Sequence, residues 1–200
     1  GVKMKEVWRV HPDGEVRDTF KKLTNVFEMQ EAEFFEHYCA VKADATSDTR
    51  YCTEFQQVCK ELEQKVPELP FSNPWLAQNT VKRLPAGCEL HLGILNSLRS
   101  WSLFEIDHEK KIEIHSNTGG FGIDGMVSTL LGSSLASPDK LFIGVIGDLA
   151  FFYDMNALGN RHVGNNIRLM VVNNGRGTEF RNYNHPAARF GESADAYMAA

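Results

Sequence analysis

Two hundred residues with 42% hydrophobic content suffice for one good core with an appended segment. The net charge is −5 and Lys and Arg form no basic run, which argues against a nucleic-acid or anionic-membrane surface. No apolar stretch reaches the length of a membrane span.

Along the chain, Glu6 to Val10 reads as a short strand, and Pro12-Asp13-Gly14 as a turn. Val16 to Tyr38 reads as a helix, with Leu23, Val26 and Phe27 on one face, continued by Phe34, Phe35 and Tyr38. Ala40 to Arg50 is polar and irregular, a linker. Tyr51, Phe55, Val58, Leu62 and Val66 fall at i, i+4, i+7, i+11 and i+15, which predicts an amphipathic helix with a charged opposite face. Pro67 to Pro74 breaks it, and Trp75 to Leu84 reads as another helix.

Cys88 to Leu92 then reads as a strand, Ile94 to Phe104 as a helix, and Ile112 to His115 as a strand entering a glycine-rich turn. Ile123 to Leu135 follows as a helix. The runs Leu141 to Ile146 and Ile167 to Val172 are short, rich in β-branched residues and lack polar alternation, as fully buried strands do. This alternation predicts an α/β fold, a doubly wound, mostly parallel sheet with right-handed crossovers and helices on both faces. The terminal run Ser193 to Ala200 reads as a helix with an N-cap but no C-cap, and Gly1 as a tag remnant or internal boundary. Both lead us to expect a piece of a longer protein.

The four cysteines, Cys39, Cys52, Cys59 and Cys88, have no metal-type spacing, and Cys52 and Cys59 lie two helical turns apart. Reduced thiols in a cytoplasmic protein are expected. The seven histidines form no pair at helical spacing, and each is read as structural or superficial.

Chemistry is concentrated at the ends of the two apolar runs. Gly147-Asp148-Leu149 closes the first and Asn173-Asn174 the second, with 26 positions between Asp148 and Asn174. Taken singly, the first is a turn with a helix N-cap and the second a loop with left-handed backbone. Taken together, they place a carboxylate and an amide oxygen at the same edge of a parallel sheet, where ligands of open α/β sheets bind. Those are hard oxygen donors suited to Mg²⁺ or Ca²⁺. An unpaired Asp148 there would cost several kcal/mol, which a bound dication would remove.

Gly147-Asp148, this spacer and Asn173-Asn174 resemble the cofactor signature of thiamine diphosphate-dependent enzymes. Leu149 departs from the commoner Gly-Asp-Gly. Further stretches resemble the menaquinone-pathway synthases of that family: Ser116-Asn117, Gly122-Ile123-Asp124-Gly125, Tyr153-Asp154 and Asn156-Ala157-Leu158. The resemblance is strong over residues 88–182 and weak before them.

It implies thiamine diphosphate and Mg²⁺ as cofactors, the metal being held by the Asp148 and Asn174 side chains and the Arg176 carbonyl. It implies Gly147, Leu149 and Ala150 at the diphosphate, with the Leu149 and Ala150 N–H groups opening a helix whose positive end favours phosphate oxygens. Ile123 would support a bent cofactor, and the Phe121 carbonyl would face its aminopyrimidine. Ile123 as a core residue at a helix start, with Asp124 as N-cap, is the alternative. The family's activating Glu would come from a separate N-terminal pyrimidine-binding domain on a second subunit of a homodimer or tetramer. Residues 1–45 would be the tail of a middle domain, 46–70 a linker and connecting helix, and 71–200 the diphosphate-binding domain.

The implied reaction is decarboxylation of a 2-oxo acid (2-oxoglutarate in that branch) and joining of the remaining fragment to an acceptor, isochorismate, with this chain inactive alone. Substrate residues are matched less closely. Arg99 can match a family arginine counted from Gly93, but Ile94 and Leu95 then replace an Asn-Ser pair, which Asn96-Ser97 restores only with a shift of two. Thr118 stands where the family has an arginine, and Phe121 where it has a serine. Loss of an arginine removes a bidentate carboxylate clamp, so a paralogue for another 2-oxo acid stays open, with Arg176 and Arg181 as replacement charges or plain surface arginines. So does a non-catalytic nucleotide-binding α/β module, since Gly120-x-Gly122-x-x-Gly125 matches a dinucleotide fingerprint.

Overall fold

The computed structural model describes residues 4–40, 49–120, 122–181 and 184–198. The chain divides into two compact units, Gly1–Glu61 and Leu62–Ala200.

In the first unit, β1 (Trp8–Val10) and β2 (Asn25–Phe27) pair in parallel, Trp8 opposite Asn25. The turn between them forms where Pro12-Asp13-Gly14 predicts it. The Gly14 N–H donates to the His11 carbonyl at 3.2 Å, and Gly14 takes φ +60. The Arg9 guanidinium grips Asp13 at 2.6 and 2.9 Å and holds that carboxyl well below the usual range.

The helix expected over Val16–Tyr38 is confined to α1 (Glu31–Ala40). Asp18 Oδ1 accepts from the Lys22 and Leu23 N–H groups at 2.8 and 3.1 Å, an alternative to helical bonding, and Lys21 turns to φ +52. Residues 25–27 are drawn into the strand pair instead. Phe27, Phe34 and Tyr38 pack with Trp8 as an aromatic cluster in tilted and edge-on contacts, with centroids 4.6–5.4 Å apart along the chain of contacts. The linker expected over Ala40–Arg50 lies mostly outside the described residues. Beyond it, α2 (Arg50–Gln64) carries Tyr51, Phe55, Val58 and Leu62, all exposed.

The second unit holds a four-stranded, wholly parallel sheet in the order β4-β3-β5-β6. Its strands are β3 (Glu89–Leu92), β4 (Glu113–Ser116), β5 (Phe142–Gly147) and β6 (Ile167–Val172). Helix α3 (Asn73–Val81) precedes the sheet. It starts two residues earlier than expected, because Ser72 Oγ caps the Trp75 N–H at 3.4 Å and Pro74 fits the first turn. Helix α4 (Asn96–Trp101) is shorter than expected, as Leu95 at φ +72 keeps the residues before it out of the helix. Helix α5 (Met126–Ala136) starts after Gly125 at φ +75, so Gly125 and not Asp124 holds the N-cap position, and Ile123 lies in the preceding loop.

Successive residues of β5 point to opposite faces. Val145 packs with Leu90, Leu92, Ala77, Val81 and Trp101, under α3 and α4. Ile146 packs with Met126 and Val127 of α5, joined by Ala150 and Phe151 of α6 (Asp148–Asp154). Helices thus cover both faces, as a doubly wound fold requires. Strand β5 is buried as expected, whereas β6, which among the described residues pairs on one side only, is half-buried: Arg168 is exposed, its guanidinium donating to the Asn165 and Ile167 carbonyls at 2.8 Å.

The chain enters at β3, steps out to β4, and returns to β5 on the other side of β3. The reversal leaves a crevice above the carboxyl ends of β3 and β5. Gly144 lets α5 and β6 close on β5, since a Cβ there would lie 2.8 Å from Leu130 Cδ2 and 2.9 Å from Leu169 Cδ1. Gly144→Val is expected to overpack this layer and lower unfolding free energy by about 1–3 kcal/mol, read from chemical denaturation.

Candidate functional site

Three strand ends meet at the crevice. The Gly93 N–H, just past β3, donates to the Val145 carbonyl at 2.7 Å, and a Cβ on Gly93 would sit 3.1 Å from that oxygen. Gly147 ends β5 opposite Val172 of β6, so Asp148 and Asn174 emerge on the same rim.

Asp148 is 3% exposed and binds three backbone donors. Its Oδ2 accepts from the Asn174 N–H at 2.8 Å and the Gly175 N–H at 2.5 Å, and its Oδ1 from the Leu149 N–H at 2.7 Å. The expectation that this carboxylate would be left unpaired without a dication is corrected here: backbone donors satisfy it. The Leu149 N–H is turned onto Asp148. Asn174 Oδ1 accepts from the Arg176 N–H at 3.3 Å, closing a short loop in which Gly175 takes φ +74.

A cavity of about 370 Å³ opens beside this loop. Ile123, Gly147, Asp148, Leu149, Ala150, Asn174 and Arg176 all line it, so the structure brings these expected cofactor residues together. Phe121 lies outside the described residues. The loop carrying Ile123 is fastened by Asn117, whose Nδ2 donates to the Gly125 carbonyl at 3.3 Å and to Thr129 Oγ1 at 3.0 Å. Asp154 fastens α6 to α5 by accepting from the Ser128 N–H and hydroxyl at 2.7 and 2.6 Å.

Asn96 and Ser97 also line the cavity, and the Asn96 amide donates to Thr178 Oγ1. Arg99 is not in the wall. It pairs with Glu179 at 2.7 Å, and Glu179 is. Thr118 is exposed and outside the wall. Arg176 and Arg181 both pair with Asp195, at 3.0 and 2.6 Å, and that carboxyl is held below its usual range chiefly by Arg181. The sequence reading did not single out Thr178, Glu179, Phe180 and His185, which form the far wall. They follow the Asn-Asn loop in a short 3-10 helix (Thr178–Arg181) and the turn beyond, a stretch with no periodic signal.

At this rim, with His185 elsewhere in the cavity wall, stand the Asp148 carboxylate and the Asn174 amide oxygen. Such donors fit a hard, oxygen-seeking dication, and the adjoining cavity could take the group that it carries. Among the described residues no helix is long and apolar enough to cross a membrane.

No protein-family model matches the chain. The Bacteroides fragilis protein named 2-succinyl-5-enolpyruvyl-6-hydroxy-3-cyclohexene-1-carboxylate synthase is 41% identical over 177 residues, covering 88% of this chain and 31% of that protein. The Bacteroides thetaiotaomicron protein of the same name is 39% identical over 176 residues, 88% of this chain and 30% of its own length. That of Christiangramia forsetii is 40% identical over 119 residues, 60% of this chain and 20% of its own. By sequence the chain is similar to these synthases, and it spans about a third of the length of the curated relatives it matches.

Proposed function

We propose that this chain is the diphosphate- and Mg²⁺-binding part of a thiamine diphosphate-dependent 2-oxo acid decarboxylase and carboligase of menaquinone synthesis. The observation that carries the reading is the meeting of Asp148 and Asn174 at one rim of a cavity at the sheet's reversal point. Asp148 Oδ1, the Asn174 amide oxygen and the Arg176 carbonyl are the metal's ligands. Gly147 and Ala150 border the diphosphate, and Ile123 supports the cofactor from the opposite loop.

Bound thiamine diphosphate supplies the electron sink for loss of CO₂ from a 2-oxo acid. The chain's own part is to hold and orient. The N–H groups of Asn174 and Gly175 fix the Asp148 carboxylate, and Gly147, where a Cβ would meet nothing within 4 Å, lets ligand atoms approach the backbone closely. In this reading residues 1–45 end a middle domain, 46–70 connect, and 71–200 form the binding domain. A pyrimidine-binding domain on a second subunit supplies the activating Glu.

One observation favours a variant of this reading, in which the 2-oxo acid differs from 2-oxoglutarate. The arginine in the described cavity wall, Arg176, is paired with Asp195, and Arg99 with Glu179, while Thr118 is not in the wall. A second substrate carboxylate would have to break one of these pairs.

Calorimetry on the full-length protein is expected to show thiamine diphosphate binding that requires Mg²⁺. Asp148→Asn keeps an oxygen for the Asn174 and Gly175 N–H groups but loses the charge, and is expected to abolish the Mg²⁺-dependent part. Undiminished affinity in this folded variant would remove the site. In a screen of 2-oxo acids for CO₂ release the full-length protein is expected to turn over and this chain alone is not; turnover by the chain alone would refute the shared active site.

A further inference from the structure

A second cluster of ligating side chains lies on the other half of the sheet, away from the cavity wall. Strands β3 and β4 run in register, Glu89 opposite Glu113 and His91 opposite His115. Alternate residues of a strand share a face, so these four side chains stand on the same side. One ligand atom from each of Glu89, His91 and His115 falls within 4.8 Å of the others. Glu89 Oε2 lies 3.9 Å from His91 Nε2 and 3.5 Å from His115 Nε2, and the two imidazole rings are 4.8 Å apart between centroids.

Burial makes this more than a polar surface. His91 is 3% exposed and Glu89 8%. His91 Nε2 is buried with no hydrogen-bond partner, although it points toward a carboxylate oxygen and a second imidazole. An unpaired buried polar atom is costly and native structures seldom keep one without use. Burial, and secondarily the neighbouring His115, push His91 below the usual histidine range, toward the neutral ring that a metal requires. Lys140 Nζ binds Glu89 Oε1 and Glu113 Oε1, each at 2.8 Å, so it fixes the carboxylate and leaves Oε2 turned to the histidines.

We propose that Glu89 Oε2, His91 Nε2 and His115 Nε2 form a Zn²⁺ site that pins the edge strand β4 to β3. Two imidazoles and one carboxylate are a zinc-type donor set with a fourth position for water, unlike the all-oxygen set that Mg²⁺ prefers. Bonds of about 2.0–2.1 Å place tetrahedral ligand atoms about 3.3 Å apart. The separations to Oε2, 3.5 and 3.9 Å, need little closing, and the exposed His115 is free to supply it.

The test uses this chain in a background with Cys39→Ser, Cys52→Ser and Cys59→Ser, so that exposed thiols, a zinc ligand type, contribute nothing to the signal. Zn²⁺ titrated by calorimetry in excess Mg²⁺ is expected to bind one to one and to raise the melting temperature. Outer-shell partners alone are worth about 10–100-fold in metal affinity, so His115→Ala is expected to weaken binding by at least about tenfold and to cancel the thermal shift. His115 is exposed, so this variant is expected to melt as its parent does without metal. Glu89→Gln, which keeps the shape and the contact with Lys140, is expected to weaken Zn²⁺ similarly, and Co²⁺ is expected to show tetrahedral visible absorption lost in both variants. No saturable Zn²⁺ binding, or binding unchanged in His115→Ala, would overturn the site.

Discussion

The carboxylate of Asp148 ties the tip of β5 to the loop leaving β6, and the candidate site depends on that tie. Its Oδ2 takes the N–H groups of Asn174 and Gly175, which the end of the β6 ladder would otherwise leave without acceptors. Hydrogen bonds to a charged group contribute about 1.5–3 kcal/mol each, enough to order a loop that needs Gly175 in a left-handed conformation. The ordered loop sets where the Asn174 amide and the Arg176 carbonyl stand, and so where one wall of the cavity lies. A ligand at this rim would therefore meet a preformed carboxylate and would not have to pay to assemble it.

Topology explains why the rim is open. Reversal of the strand order at β3 sends α4 and α5 to opposite faces, so neither connection crosses the crevice between β3 and β5. Close packing then requires glycine at chosen points, Gly93 against the Val145 carbonyl and Gly144 between Leu130 and Leu169. Leu95, at φ +72, is a non-glycine residue in an expensive conformation, and it too lines the cavity.

Much of this was legible in the amino-acid order because the signals were local. Buried parallel strands announce themselves as short apolar runs, and their polar termini, Gly147-Asp148 and Asn173-Asn174, mark a shared rim once the sheet is taken as parallel. Where the reading failed, tertiary pairing had overridden local pattern. Val26 and Phe27 suit a helix face, but pairing with Trp8–Val10 made them a strand. Ile167–Val172 looked fully buried, yet among the described residues it pairs on one side only and is half-buried. The Arg99–Glu179 pair joins residues 80 positions apart, and the His91–His115 pair rests on the register of two strands. Histidines two apart from a glutamate, or twenty-odd apart from each other, carry no helical or zinc-finger spacing.

The same sheet presents two different donor chemistries, and the difference follows from backbone position. Beyond the carboxyl ends, where strands give way to loops, the Asp148 carboxylate and the Asn174 amide supply oxygen. On the face of β3 and β4 the backbone carbonyls lie in the plane of the sheet, so only side chains can ligate, and the register there places imidazoles side by side. Hard cations such as Mg²⁺ need several oxygens and keep their water, and they gain little from a site with one carboxylate and two nitrogens. A borderline ion gains most from those nitrogens. The two proposed sites thus differ in the donors that the backbone leaves free at each place.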